Sequence, residues 1–246
     1  NTCVMRITRL YVNQPLVVGS DMLLPADAAH HMGVVLRATV GQTVILFDGR
    51  GVEAQAEITQ CTRKQVSVRI NRVENVDRES PLAIHLAIGV SRGERMEFVL
   101  QKSTELGVAA ITPLLCERSE VRLDHERWQK KGAQWQKIIV SACEQSGRTK
   151  IPLLHAPVDL LSCLTNDNSE QRFVLHHRSD QYLQHKNKVP RSVLLLIGPE
   201  GGLSETEIVA AQAAGCCALT LGPRVLRTET APLAAISVLQ SHWGDF

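Results

Sequence analysis

The chain has 246 residues, 44% hydrophobic and 21% charged, enough to bury the core of one large domain or two modest ones. Lys+Arg number 27 and Asp+Glu 25, so the net charge of +2 excludes a tail-like polycation but not a local basic face. No apolar run reaches the roughly 18 residues that span a bilayer, and the N-terminus lacks the apolar stretch of a signal peptide.

The first third reads as β-structure. A short helix is predicted around Ala26 to Leu36. Thr43–Phe47 is a strand followed by Asp48-Gly49-Arg50-Gly51, a hairpin-type turn. Val52 to Thr59 and Gln65 to Asn71 alternate apolar and polar residues, as half-buried strands do. These elements predict a small β-barrel over residues 1–76. Eight basic and six acidic side chains lie there, so the whole charge excess sits in this third. Asn75 to Pro81 is a polar, Pro-terminated linker.

From Pro81 strands and helices alternate. Strands are predicted at Ala83–Val90, Ala110–Cys116, Phe173–His176, Val193–Ile197 and Ala218–Leu221. Helices are predicted at Glu94–Leu106, Glu126–Ser146, Ser204–Ala214 and Thr230–Trp243. Ser204 with Glu207 forms a capping box at the start of one of them. Such alternation implies an α/β domain with a mostly parallel sheet, over residues 77–246.

Seven cysteines are scattered and include no C-x-x-C. A disulfide framework or a metal site is not expected, and a reducing cytoplasm is the natural setting.

Two turns carry unusual chemistry. Ile197-Gly198-Pro199-Glu200-Gly201-Gly202 follows a strand and precedes a helix N-terminus, where α/β sheets bind ligands. Glu200 argues against a triphosphate and suits hydroxyls and a positive centre. No phosphate-loop or dinucleotide fingerprint is present in this stretch. The second turn is Leu221-Gly222-Pro223-Arg224-Val225-Leu226-Arg227-Thr228-Glu229-Thr230-Ala231. From pattern alone, each turn reads either as a bland connection or as part of a ligand site. Their places at two strand ends favour one shared site.

Together these two segments resemble the signatures of the ribosomal RNA small subunit methyltransferase E family, knotted methyltransferases of the SPOUT superfamily. Met5-Arg6-Ile7 with Arg9, His31 to Arg37, Phe47-Asp48-Gly49, Ser91 to Glu97, Glu105-Leu106-Gly107, Glu117-Arg118 and Ala142 to Arg148 are similar to further family segments. The likeness covers nearly the whole chain from Met5.

The resemblance implies an N-terminal PUA-like RNA-binding β-barrel and a SPOUT domain with a deep trefoil knot. It implies S-adenosylmethionine as cofactor and no metal. The expected product is N3-methyluridine in the decoding region of 16S ribosomal RNA, made by a cytoplasmic homodimer acting on the small ribosomal subunit. The cofactor loops would hold Leu175 and His176; Ile197, Gly198, Glu200, Gly201 and Gly202; and Leu221, Gly222, Val225, Leu226, Thr228, Thr230 and Ala231. Arg227, Glu229 and Arg9 are the expected catalytic groups, and Arg6, Arg9 and Arg37 the expected RNA contacts. His176 also reads as an ordinary histidine at a strand end. The competing expectations are an RNA-binding assembly factor without turnover and a methyltransferase for another RNA position.

Overall fold

The computed structural model describes residues 7–121, 123–175 and 189–246. The chain forms two compact units, Asn1–Glu79 with Cys143–Ile151, and Ser80–Ala142 with Pro152–Phe246.

The first unit contains β1 (Arg9–Tyr11), β2 (Asp21–Leu23), α1 (Ala26–His30), β3 (Thr43–Phe47), β4 (Val52–Cys61) and β5 (Val66–Asn75). The strands form one sheet in the order β1-β3-β4-β5-β2. Only the β1–β3 pairing is parallel. In β4, buried Ala54, Ala56 and Ile58 alternate with exposed Gln55 and Glu57, so one face of the strand meets the core. The β3–β4 turn is fastened by Asp48, whose Oδ1 accepts from the Arg50 and Val52 amides at 2.8 and 3.0 Å.

The helix expected over Ala26–Leu36 is not one element. It is α-helical to His30 and becomes a π-helical turn over His31–Val35. Adjacent Val34 and Val35 are stiff, β-branched residues that weaken an α-helix. The wider turn also seats Gly33 against the β4–β5 hairpin, where a Cβ would lie 2.5 Å from the Thr62 carbonyl oxygen. Arg37 ends the turn with φ +50°, in the left-handed region.

Cys143–Ile151 packs within this first unit although it is distant in sequence. The Ile151 amide donates to the Gly49 carbonyl at 3.1 Å, and the Gly51 amide to the Thr149 carbonyl at 3.2 Å. The Tyr11 amide donates to Glu144 Oε1 at 3.0 Å. Ion pairs fill the same region. Glu53 accepts from Arg9 and, at 3.0 Å, from Arg78, and Arg148 pairs with Glu79.

The second unit holds β6 (Ala83–Gly89), α2 (Gly93–Glu105), β7 (Ala110–Leu115), most of α3 (His125–Ser146), β8 (Leu153–Leu154), β9 (Val158–Asp159) and α4 (Leu160–Asn166). It continues with β10 (Gln171–Leu175), β11 (Ser192–Ile197), α5 (Glu205–Ala213), β12 (Cys217–Leu219) and α6 (Thr230–Trp243). The sheet runs β12-β10-β11-β6-β7-β8, with β9 also on β7, and every pairing is parallel. Val193 through Leu196 are all fully buried, as expected of a central parallel strand covered on both faces. Helix α4 has no counterpart among the predicted elements, because seven residues are too few to show periodicity. Cys116, Cys163 and Cys216 pack as small core residues, and burial pushes the Cys116 thiol up to about 12.

Candidate functional site at the ends of three parallel strands

Strands β10, β11 and β12 are neighbours and run parallel, so their carboxyl ends emerge together at one edge. Leu175, Ile197 and Leu219 close those strands and line a cavity of about 610 Å³. That volume lies within the range of small-molecule sites, roughly 300–1,000 Å³. The rest of the wall comes mainly from the β11–α5 and β12–α6 loops.

The β11–α5 loop folds tightly on itself. Gly202 has φ +71°, and its amide donates to the Pro199 carbonyl at 2.8 Å. A side chain is strained at that φ. A Cβ on Gly89, at the end of β6, would collide with the Pro199 backbone, so the loop needs a glycine in the neighbouring strand as well. The capping box at Ser204 is present, with Ser204 accepting from the Glu207 amide at 3.1 Å and Glu207 accepting from the Ser204 amide at 2.8 Å. Glu207 also accepts from the Glu117 amide at 2.9 Å, which ties the loop to the end of β7.

Two cationic side chains flank the same loop. Arg118 Nη1 donates to the carbonyls of Gly201 and Leu203, each at 3.3 Å. Glu200 accepts from the Arg92 amide at 3.2 Å and lies 3.5 Å from Arg95 Nη1. Glu229, in the second loop, pairs with Arg95 at 4.0 Å rather than with Arg227. The Arg227 side chain is exposed and has no hydrogen-bond or ion-pair partner among the described residues; its carbonyl accepts from the Thr230 and Ala231 amides, both at 2.9 Å.

The cavity wall gathers Leu175, Ile197, Gly198, Glu200, Gly201, Gly202, Leu221, Gly222, Val225, Leu226, Thr228 and Ala231. Thr230, Arg227 and Glu229 are in the same loop and helix start but outside the wall. His176 and Arg6 lie outside the described residues. Arg9, expected as a catalytic and RNA-binding group, lies in the first unit. Its side chain is 13% exposed, pairs with Glu53, donates to the Arg148 carbonyl at 3.3 Å and sits over the Phe47 ring. Arg37 is exposed.

Sequence reasoning missed Arg118, Thr220 and Arg224 in the wall. Glu117-Arg118 follows the end of a strand, which was the available signal, but nothing local tied that turn to the β11–α5 loop. Among the described residues, no group of three or more His, Cys, Asp or Glu side chains is placed to hold a metal ion.

Residues 78–240 match the RNA methyltransferase domain family, and residues 24–71 the RNA methyltransferase PUA domain family. The chain is 31% identical to the ribosomal RNA small subunit methyltransferase E of Buchnera aphidicola, over 98% of this chain and 96% of that one. It is 33% identical to the Bacillus subtilis protein of the same name, with 88% of each covered. Among solved structures, the enzyme of that name from Neisseria gonorrhoeae, bound to S-adenosyl methionine, is 39% identical with a TM-score of 0.90, over 98% of this chain and all of that one (100%). Lpg2936 from Legionella pneumophila, in complex with the cofactor SAM, is 46% identical with a TM-score of 0.95, over 98% and 100% of the two chains. A parallel sheet with a cavity at three strand ends, the paired glycine loops and these full-length likenesses converge: the chain belongs to the ribosomal RNA small subunit methyltransferase E family.

Proposed function

We propose that this chain transfers a methyl group from S-adenosylmethionine to N3 of a uridine in the decoding region of 16S ribosomal RNA, in the cytoplasm and as a homodimer with the family's trefoil knot. The observation that carries the reading is the cavity at the ends of β10, β11 and β12, walled by both glycine loops. The residues present fit the cofactor. Apolar strand-end side chains suit an adenine face, the Glu200 carboxylate suits ribose hydroxyls or an ammonium, and the turn at Gly198–Gly202 lets a ligand meet backbone.

When bound, S-adenosylmethionine supplies an electrophilic methyl on a sulfonium. The chain's own task is to make uracil N3 nucleophilic. N3 carries a weakly acidic proton, and its loss places negative charge on the flanking carbonyl oxygens. Arg227, permanently charged and unpaired among the described residues, offers forked donors to those oxygens. Glu229 stands two residues away as a proton acceptor. Leu175, Ile197 and the two glycine loops orient the donor and exclude water. N3 lies on the Watson–Crick edge, so the target base must be unpaired or flipped out.

The deciding experiment is mass mapping of small-subunit rRNA from a strain lacking this gene, with and without complementation. A new methyl mark on a decoding-region uridine on complementation supports the reading. Calorimetric titration that shows no S-adenosylmethionine binding would overturn it in favour of an assembly factor without turnover.

Two variants follow from the same geometry. Gly201→Val should weaken cofactor binding, because a Cβ there meets Arg118 Cβ at 3.1 Å and its carbonyl oxygen at 3.2 Å. Overpacking of this kind costs about 1–3 kcal/mol, which displaces Arg118 from the loop carbonyls. Titration of the variant should give an affinity reduced roughly 10-fold, and an unchanged value contradicts the placement. Arg37→Ala should weaken RNA binding and reduce its salt dependence by about one unit of logarithmic slope, because one phosphate contact is lost.

A further inference from the structure

The two loops that wall the cavity are not joined by their own chain. They follow different strands, β11 and β12, and lead into different helices, α5 and α6. A third element reaches both. Arg95 lies in the first turn of α2 and carries its guanidinium between the two loops. Its Nη1 is 3.5 Å from Glu200 Oε1 and its Nε is 4.0 Å from Glu229 Oε2. Both carboxylates are mostly sheltered, 22% and 23% exposed, whereas Arg95 is half exposed. Glu200 Oε1 also accepts the Arg92 amide at 3.2 Å, so the start of α2 grips it twice.

The position of Arg95 is set by its surroundings. Gly93 opens α2 with φ +46°, and Arg92 before it is extended, so the chain turns sharply from the end of β6 into the helix. Strand β6 is paired directly with β11, which brings that helix start beside the β11–α5 loop. Helix α6, which Glu229 precedes, packs on α2, and its Gln240 side chain donates to the Leu106 carbonyl at 2.8 Å. The carboxylates are thus delivered to Arg95 from two separate directions.

We propose that Arg95 is a positioning residue that clasps the two cofactor loops together through Glu200 and Glu229. This rests on the cofactor and methyl-transfer reading given above. Glu200 lines the cavity and Glu229 lies two residues beyond Arg227, so one guanidinium sets both the cofactor wall and the loop that presents Arg227 to the base. A planar fork can address two carboxylates at once; a lysine ammonium is a single point charge and cannot span them equally. Partly exposed ion pairs are individually weak, so the effect is a loss of pre-organisation and not of folding.

The test is a set of variants measured by S-adenosylmethionine titration, single-turnover methylation of small-subunit rRNA and thermal melting. Arg95→Ala is expected to weaken cofactor affinity and slow transfer at saturating cofactor, each roughly 3–10-fold, with the melting temperature nearly unchanged. Arg95→Lys should recover only part of the loss. The decisive readout is coupling. Glu200→Gln and Glu229→Gln should be non-additive in their effect on rate when Arg95 is present and additive when it is alanine. Additive effects in both backgrounds overturn the clasp, as does an Arg95→Ala variant with normal affinity and rate. A lower melting temperature with normal affinity and rate would make Arg95 structural only. If the unaltered protein itself binds no S-adenosylmethionine, the underlying functional reading fails instead, and the two failures are distinct.

Discussion

Arg227→Ala lowers the single-turnover rate of methyl transfer to saturating RNA by about 10²–10³-fold, the usual cost of one electrostatic donor at a developing oxyanion. The side chain is exposed and has no partner among the described residues, so its removal breaks no contact seen there, and the melting temperature should hold. Arg227→Lys keeps the charge but loses the paired donors, so it should remain impaired. A purely structural role for Arg227 would require an ion pair with Glu229, its nearest carboxylate in sequence. Glu229 instead pairs with Arg95, which removes the main reason to expect a stability effect. A variant that melts early yet methylates at the normal rate would defeat the catalytic role.

Glu53→Ala destabilises the first unit by about 3 kcal/mol, because it leaves the sheltered Arg9 guanidinium without its counter-charge. Glu53 is 10% exposed at its side chain and serves both Arg9 and Arg78. Burial alone would raise its carboxyl, but the hydrogen bonds and charges of Arg78 and Arg9 outweigh burial and hold it below the ordinary value of 4.5. A carboxyl lowered in the folded state adds stability above its unfolded value and loses it as pH falls through the folded one. The gap between wild type and variant should therefore be widest above pH 4.5 and close below it. Glu144 works in the opposite sense. Burial pushes its carboxyl up, so its contribution is complete at low pH and declines as pH rises past 4.5. Denaturant melts of both proteins at several pH values test this, and a pH-independent gap would contradict it.

The local chemistry of this chain was legible before any fold was known. Alternation marked β4 and β5, apolar runs marked β6 and β11, and Ser204 with Glu207 marked the start of α5, because these signals depend on a few neighbouring residues. The paired glycine loops were legible for the same reason, since a tight turn after a buried strand needs particular residue types. Short elements escaped: β1, β2, β8, β9 and α4 are held by partners far along the chain, and their own residues show little period.

Long-range placement was decided by packing alone. Nothing in Arg9 distinguishes an RNA contact from the partner of Glu53, 44 residues away. Nothing in Cys143–Ile151 says that it packs in the first unit. Arg118 and Arg95 reach the β11–α5 loop from more than 80 residues away, through the pairing of β6 with β7 and β11. A sequence pattern records which face of its own element a residue occupies. Which distant carboxylate or carbonyl that face meets depends on strand order, and strand order is a property of the whole sheet.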